Sequence, residues 1–144
     1  MIVQNNARTL RVALDSVKDY VDEFVFVDGG SVDNTLEIAR SYRNSKVISH
    51  PWDGNFARQL NLALDAASGQ WVLRLDSDEC LGVRFGAAVR NLISSSDFDG
   101  YSLARYWLVG TDPLRHVCSA PHYPDWQDRL WRHAPDVRYS AQRE

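Results

Sequence analysis

The sequence predicts a three-layer α/β sandwich with a mostly parallel central sheet. Across residues 1–93, short apolar runs rich in Val and Phe alternate with segments whose apolar residues recur at helical spacing. The loops between them are short, and two of the apolar runs end in aspartate. Such alternation is typical of strands joined by right-handed helical crossovers. The length of 144 residues fits a single domain, 1–144.

The apolar runs and stripes define the predicted elements. Strands are expected at 1–3, 23–28, 46–49 and 70–76, and helices at 10–21, 36–42, 56–67 and 83–93. After residue 94 the pattern changes to longer predicted strands at 101–109 and 128–132, separated by an irregular, proline-containing stretch. The first strand resembles the second half of a longer one, and the final S-A-Q-R-E carries no stop signal. We therefore expect a chain truncated at both ends.

Composition and charge exclude several classes of partner. The net charge of −3 provides no basic field for nucleic acid, so we expect no nucleic-acid partner and at most peripheral membrane contact. No apolar run approaches the length of about 18 residues that suggests a membrane span. The two isolated cysteines, Cys80 and Cys118, fit a reducing compartment. These features predict a cytoplasmic protein. A location at the inner face of the membrane is compatible with them.

Carboxylates stand at the ends of two predicted strands. Asp28 ends E-F-V-F-V-D, and Asp76 and Asp78 follow W-V-L-R-L. In open α/β sheets, ligands bind beyond the carboxyl ends of the strands, so these side chains are predicted to face one crevice. Carboxylates this close repel each other unless a cation joins them, and Mn²⁺ or Mg²⁺ prefers such oxygen ligands. A capping or turn role for the same aspartates is the alternative.

Five blocks, in order along the chain, resemble a known family. They are M-I-V-Q-N-N-A-R-T-L, F-V-D-G-G-S-V-D-N-T, H-P-W-D-G-N-F-A-R-Q-L-N-L-A-L, W-V-L-R-L-D-S-D-E and P-D-W-Q-D-R-L-W-R. The chain is similar over nearly its whole length to the family 2 inverting glycosyltransferases, and to one bacterial branch of that family.

The resemblance implies a GT-A fold, which is Rossmann-like. Residues 1–93 would form the nucleotide-sugar-binding half, and 94–144 would begin the acceptor-binding half. The implied activity is transfer of a sugar, with inversion, from a nucleotide-diphosphate sugar. A UDP-sugar is the expected donor and Mn²⁺ or Mg²⁺ the expected cofactor. The acceptor, in cell-envelope biosynthesis, stays open between a saccharide, a lipid-linked saccharide and a protein.

The resemblance also assigns roles in the first two loops. Val3 and Asn5 would line the nucleoside pocket, and Asp28 would contact the base or its ribose. Ser31 and Asp33 continue the same motif, where they hold the loop and cap the next helix more often than they touch ligand.

The D-S-D segment would carry the metal. By resemblance, Asp76 is directed toward the ribose and the metal, Ser77 belongs to the nucleotide-sugar site, and Asp78 binds the metal that bridges the diphosphate. Glu79 would either contact the ligand or metal directly or order the loop around them. Asn61 would bond either the donor or the loop that carries D-S-D.

The general base of an inverting transfer is expected to be a carboxylate downstream of D-S-D. Glu144 is the candidate, with Asp125 and Asp128 as alternatives. Arg129 and Arg132 are expected on one face of a strand, either meeting phosphate or acceptor or forming salt bridges within the domain.

Two other functions stay open. A nucleotide- or glycan-binding module without turnover would share the same blocks while lacking the base. A nucleotidyltransferase is disfavoured because Q-N-N-A-R-T lacks the glycines of a phosphate loop.

Overall fold

The computed structural model describes residues 1–95 and 97–140 of the chain. The strands are β1 Ile2–Val3, β2 Phe24–Asp28, β3 Ser45–Ser49, β4 Trp71–Leu73, β5 Gly100–Arg105, β6 Leu108–Val109, β7 Arg115–His116 and β8 Asp125–Arg132. The helices are α1 Leu10–Asp15, α2 Thr35–Arg40, α3 Phe56–Ala66 and α4 Phe85–Ser94. None of the helices in the described part of the chain combines the length and the apolar character needed to cross a bilayer.

The first three strands form a parallel sheet in the order β1-β2-β3, as predicted. In this register Val3 lies opposite Asp28, and Asp28 lies opposite Ser49. The carboxyl ends of the three strands therefore meet at one edge of the sheet. The core beneath this sheet is apolar and fully enclosed. It contains Val3, Leu10, Leu14, Phe26 and Ala39.

The second sheet is antiparallel, with the order β4-β8-β5. The predicted strand 70–76 is shorter than expected, since β4 ends at Leu73. The chain leaves the ladder there to make the D-S-D turn. The predicted strand 101–109 is also interrupted, because β5 ends at Arg105 and the next pair, Leu108–Val109, joins β7 in a separate two-stranded sheet.

A second core cluster connects the two sheets. Ala13, Val17 and Leu75 are buried together, and Met1 and Phe24 pack against both this cluster and the core of the parallel sheet. The helix predicted for 10–21 ends at Asp15. Val17 nevertheless stays buried, because the following turns keep it on the apolar side. Leu75 is thereby fixed beside β1, which sets the position of the D-S-D segment that follows it.

Candidate active site

The tip of β2 is a closed hydrogen-bonded loop built around Asp28. The Asp28 side chain is buried, and its carboxylate accepts hydrogen bonds from the backbone N–H of Gly30 at 3.1 Å and of Ser31 at 3.1 Å. The Ser31 hydroxyl donates to the same carboxylate at 2.5 Å. Gly30 has φ +105°, a conformation that favours glycine. In this structure Asp28 therefore organises the D-G-G-S loop from inside.

The loop after β1 is tied to the same loop. The Asn5 backbone N–H donates to the Ser31 hydroxyl at 3.0 Å, and the Asn5 side-chain oxygen accepts from the Val32 N–H at 2.9 Å. Asn5 itself is exposed, whereas the Val3 side chain is fully buried in the core. Of the two residues predicted to line the nucleoside pocket, Asn5 has an exposed side chain, whereas Val3 could contribute only its backbone.

The helix cap expected from Ser31 or Asp33 takes a different form. The residue preceding α2 is Asn34, whose side chain makes no capping hydrogen bond. Asp33 instead accepts from the backbone and the hydroxyl of Thr35 and from the Ala7 N–H. The hydrogen bonds from Thr35 lower the pKa of Asp33. Asp33 therefore joins α2 to the loop after β1.

The segment D-S-D-E forms a turn closed at both ends. The Glu79 N–H donates to the Asp76 carbonyl at 3.0 Å, and the Asp76 N–H donates to the Glu79 carboxylate at 3.2 Å. Ser77, the second residue, is buried. Asp78, the third, is exposed, and within residues 1–95 and 97–140 its carboxylate has no ion-pair or hydrogen-bond partner.

Arginines surround the other two carboxylates of this turn. The Nη2 atom of Arg129 lies 3.2 Å from Asp76 and 2.6 Å from Glu79. Arg74 lies 3.6 Å from Asp76, and Arg105 lies 3.4 Å from Glu79. The expectation that crowded carboxylates require a cation is met here by guanidinium groups that the chain itself supplies.

A cleft of about 760 Å³ opens beside this turn. Asp76, Asp78 and Glu79 line it, together with Arg105 and Arg129. Exposed aromatic side chains extend its rim, and its apolar floor includes Leu75. The aromatic residues are Tyr106 and Trp107. Asp28 is not among the residues that line this cleft, so the predicted single crevice shared by Asp28 and Asp78 stays a prediction.

The carboxylates suit a metal that arrives with its ligand. No group of three or more His, Cys, Asp or Glu side chains suited to a metal occurs in the described ranges 1–95 and 97–140. Mg²⁺ is commonly held by one or two carboxylates while substrate phosphates and water complete its shell. Asp78, with Asp76 beside it, provides that donor set.

Asn61 is engaged elsewhere. Its amide nitrogen donates to the Tyr139 carbonyl at 2.9 Å, and its amide oxygen accepts from the Tyr139 N–H at 2.9 Å. Both polar groups of the side chain thus hold the segment after β8 against α3. A role for Asn61 at the donor stays a prediction.

The carboxylates considered as general base differ in position. Glu144 lies outside the described residues. Asp125 accepts from Gln127, Arg105 and Trp107, and the hydrogen bonds from Gln127 and Arg105 lower its pKa. A carboxylate with its acceptors so occupied is a poor proton acceptor.

Asp128 accepts from the Ser102 hydroxyl at 2.5 Å and does not line the cleft. The expectation that Arg129 and Arg132 share a face is wrong. Residues three apart in a strand point to opposite faces, and Arg132 pairs with Asp99 at 3.1 Å, away from Asp76. The expectation of salt bridges within the domain is confirmed for both arginines.

The sequence profile of one family, described as glycosyl transferase family 2, matches residues 1–134. The chain belongs to glycosyl transferase family 2. A TPR repeat-containing protein of Synechococcus elongatus is 33% identical over 140 residues, which are 96% of this chain and 32% of that protein. The chain spans about a third of the length of the curated relatives it matches.

Several solved structures share the fold. A Staphylococcus aureus TarS structure aligns with TM-score 0.61 at 22% identity, covering 92% of this chain and 45% of that one. TarS in complex with UDP-GlcNAc aligns with TM-score 0.57 at 29% identity, covering 65% and 29%. The mannosyltransferase PcManGT of Pyrobaculum calidifontis, in complex with GDP-Man and Mn²⁺, gives TM-score 0.59 at 24% identity, covering 72% and 34%. The predicted GT-A α/β fold is confirmed.

Sequence reasoning named Arg129 but did not place it beside the D-S-D turn. The R-L-W-R block contains Arg129, but its two arginines were expected on one face of β8, whereas residues three apart in a strand point to opposite faces. Only the pairing of β8 with β4 brings Arg129 beside the D-S-D turn.

Proposed function

We propose that this chain is the nucleotide-sugar-binding part of an inverting, metal-assisted glycosyltransferase that uses a UDP-sugar. The observation that carries the proposal is the D-S-D-E turn, which presents the Asp78 carboxylate to a cleft that Arg105 and Arg129 also line. Among the residues that the structure describes, none pairs with this carboxylate. Membership of the family and the UDP-GlcNAc complex of TarS support the choice of donor. Saccharides, lipid-linked saccharides and proteins all remain candidate acceptors.

The residues divide the work in the following way. Asp78, assisted by Asp76, holds Mn²⁺ or Mg²⁺, which supplies Lewis-acid stabilisation of the diphosphate leaving group when bound. Arg105 and Arg129 add positive charge to the same cleft. The loops built around Asp28 and Asn5 receive the nucleoside. Ser77, buried within the turn, is assigned to the nucleotide-sugar site, and Glu144 stays the predicted base.

The test is calorimetric titration of the chain with UDP, GDP and UMP, each with and without Mn²⁺. We expect UDP to bind in the presence of Mn²⁺ and to bind more weakly without it, and UMP to gain little from the metal, because it lacks the diphosphate. Equal affinity for UDP and UMP under both conditions would contradict the proposal.

One observation favours a second candidate, a binding module without turnover. In the part of the chain that the structure describes, Asp125 accepts three hydrogen bonds and Asp128 does not line the cleft, which disfavours both as the base. Release of UDP from UDP-GlcNAc by the purified chain, with or without an acceptor, decides between the two. Turnover above that of an Asp78→Asn variant excludes the module.

A further inference from the structure

Arg129 occupies an unusual position for a charged residue. It lies on β8, is only 5% exposed, and its backbone carbonyl accepts from the Arg74 N–H at 2.8 Å. The strand pairing therefore fixes the Arg129 side chain directly under the turn that begins at Asp76. Its Nη2 contacts both Asp76 and Glu79, the first and last residues of that turn.

The two contacts constrain the middle of the turn. Asp76 and Glu79 are joined to each other by one backbone–backbone hydrogen bond and by one from the Asp76 N–H to the Glu79 carboxylate. Two ion pairs join them to Arg129. Ser77 is buried between them. With both ends held and the second residue turned inward, the third residue, Asp78, faces outward.

We infer that Arg129 is a positioning residue that holds Asp76 and Glu79 and thereby leaves Asp78 as the principal carboxylate for the cation of a nucleoside-diphosphate ligand. This inference rests on the proposed function and deepens it. It assigns Asp76 mainly to Arg129, where the resemblance assigned it to the metal.

A purely structural role explains Arg129 less well. Its Nη1 atom is buried and has no hydrogen-bond partner among the described residues. Buried ion pairs are costly to desolvate, and apolar residues of similar size often stabilise a protein equally well or better. An unsatisfied buried donor adds to that cost. Retaining a guanidinium here is explained by the arrangement of the carboxylates that it enforces.

The same strand offers a matched control. Arg132 pairs through its Nε with Asp99, whose side chain is 90% exposed, and its guanidinium lies 4.7 Å from the centre of the Trp71 ring. It carries the same charge on β8 without touching the turn.

The experiment measures Mn²⁺ affinity at saturating UDP, by electron paramagnetic resonance of free Mn²⁺, for wild type, Arg129→Met, Arg129→Lys and Arg132→Met. Substitutions of residues that orient metal ligands commonly cost about 10- to 100-fold in metal affinity, and we expect that loss for Arg129→Met. Arg129→Lys should fall in between, because lysine keeps the charge but lacks the planar fork. Arg132→Met should stay within about twofold of wild type.

A double-mutant cycle tests whether Arg129 acts through Glu79. In a Glu79→Gln background, Arg129→Met should cost clearly less than in wild type, because one of the carboxylates that it positions is already neutral. A general loss of folding would lower affinity equally in both backgrounds, so the cycle separates the two roles. Should Arg129→Met fail to fold, as circular dichroism would reveal, Arg129→Lys carries the same comparison.

The outcomes separate this inference from the proposed function. Wild-type affinity in folded Arg129→Met and Arg129→Lys, while the wild-type chain binds Mn²⁺ with UDP, would overturn the inference and leave the proposed function standing. Failure of the wild-type chain to bind UDP with Mn²⁺ would overturn both.

Discussion

Asp28 ends one apolar run and Asp78 lies just beyond another, yet their surroundings differ completely. Asp28 is buried and accepts hydrogen bonds from its own loop. Asp78 is exposed, and no partner for its carboxylate occurs in the described ranges. The difference arises because Asp28 is still part of its strand, whereas β4 ends at Leu73 and a separate turn carries Asp78.

The comparison shows that a carboxylate at a strand tip has two distinct uses. Asp28 organises the D-G-G-S loop through its hydrogen bonds, so we expect it to contribute to stability. We propose that Asp78 contributes to ligand binding, since nothing in the described ranges pairs with its carboxylate. Substitutions at the two positions should therefore separate binding from folding.

The largest effect is expected for Asp78→Asn. Removing the charge that binds the cation should weaken Mn²⁺-dependent UDP binding on the order of 100-fold, while the melting temperature stays unchanged. Calorimetry with UDP and Mn²⁺ measures the affinity, and Asp99→Asn provides an exposed aspartate as a control. A large fall in the melting temperature would instead assign Asp78 to the fold.

Asp28→Ala should reverse that pattern. It removes an acceptor shared by two backbone N–H groups and the Ser31 hydroxyl, which we expect to cost about 3 kcal/mol of unfolding free energy. Urea unfolding of Asp28→Ala and Asp78→Ala, compared with wild type, measures both positions. Equal unfolding free energies for the two variants would contradict the idea that Asp28 stabilises the fold and Asp78 does not.

Glu23 directly precedes β2, at the end of the strand opposite to Asp28. Its carboxylate makes the stability of the fold depend on pH. Burial raises the pKa of Glu23, but hydrogen bonds from Lys46 and Ser68 outweigh it and lower the pKa to about 2. Because the folded pKa is depressed, the stabilisation is present above pH about 4.5 and is lost as the pH falls toward 2.

Glu23→Gln should accordingly lose about 2 kcal/mol at pH 7, and the difference from wild type should shrink between about pH 4.5 and 2. Urea unfolding at a series of pH values measures this. A difference that is independent of pH would show that the Glu23 charge is not what stabilises the loop after α3.

The smallest effect is expected for Arg132→Met. Its ion pair joins side chains that are 41% and 90% exposed, so the change in unfolding free energy should stay below about 1 kcal/mol. Urea unfolding checks this. A larger loss would indicate that the contact with Trp71, and not the salt bridge, stabilises this edge of the second sheet.

Local patterns predicted the first half of the molecule well. Apolar runs ending in Asp28 and Ser49, and the stripe of α3, specify strands and a helix within a few residues of their bounds, and short loops specify parallel pairing. The D-S-D segment was found for the same reason: its carboxylates interrupt an apolar run.

The rest of the site depends on contacts between distant residues. Arg129 and Asp76 are 53 positions apart, and Asn61 and Tyr139 are 78 apart. Local periodicity carries no information about which strands pair across such distances, so the insertion of β8 between β4 and β5 could not be read from the sequence. The exact end of β4 depends on the same pairing.

Anomalous diffraction at the manganese edge, from crystals of the chain soaked with UDP and Mn²⁺, would test directly whether Asp78 binds the metal. We expect a peak at bonding distance, about 2 Å, from an Asp78 carboxylate oxygen and adjacent to the UDP diphosphate, with Arg129 still paired to Glu79. A peak coordinated by residues elsewhere, or ordered UDP bound away from the D-S-D turn, would contradict this expectation.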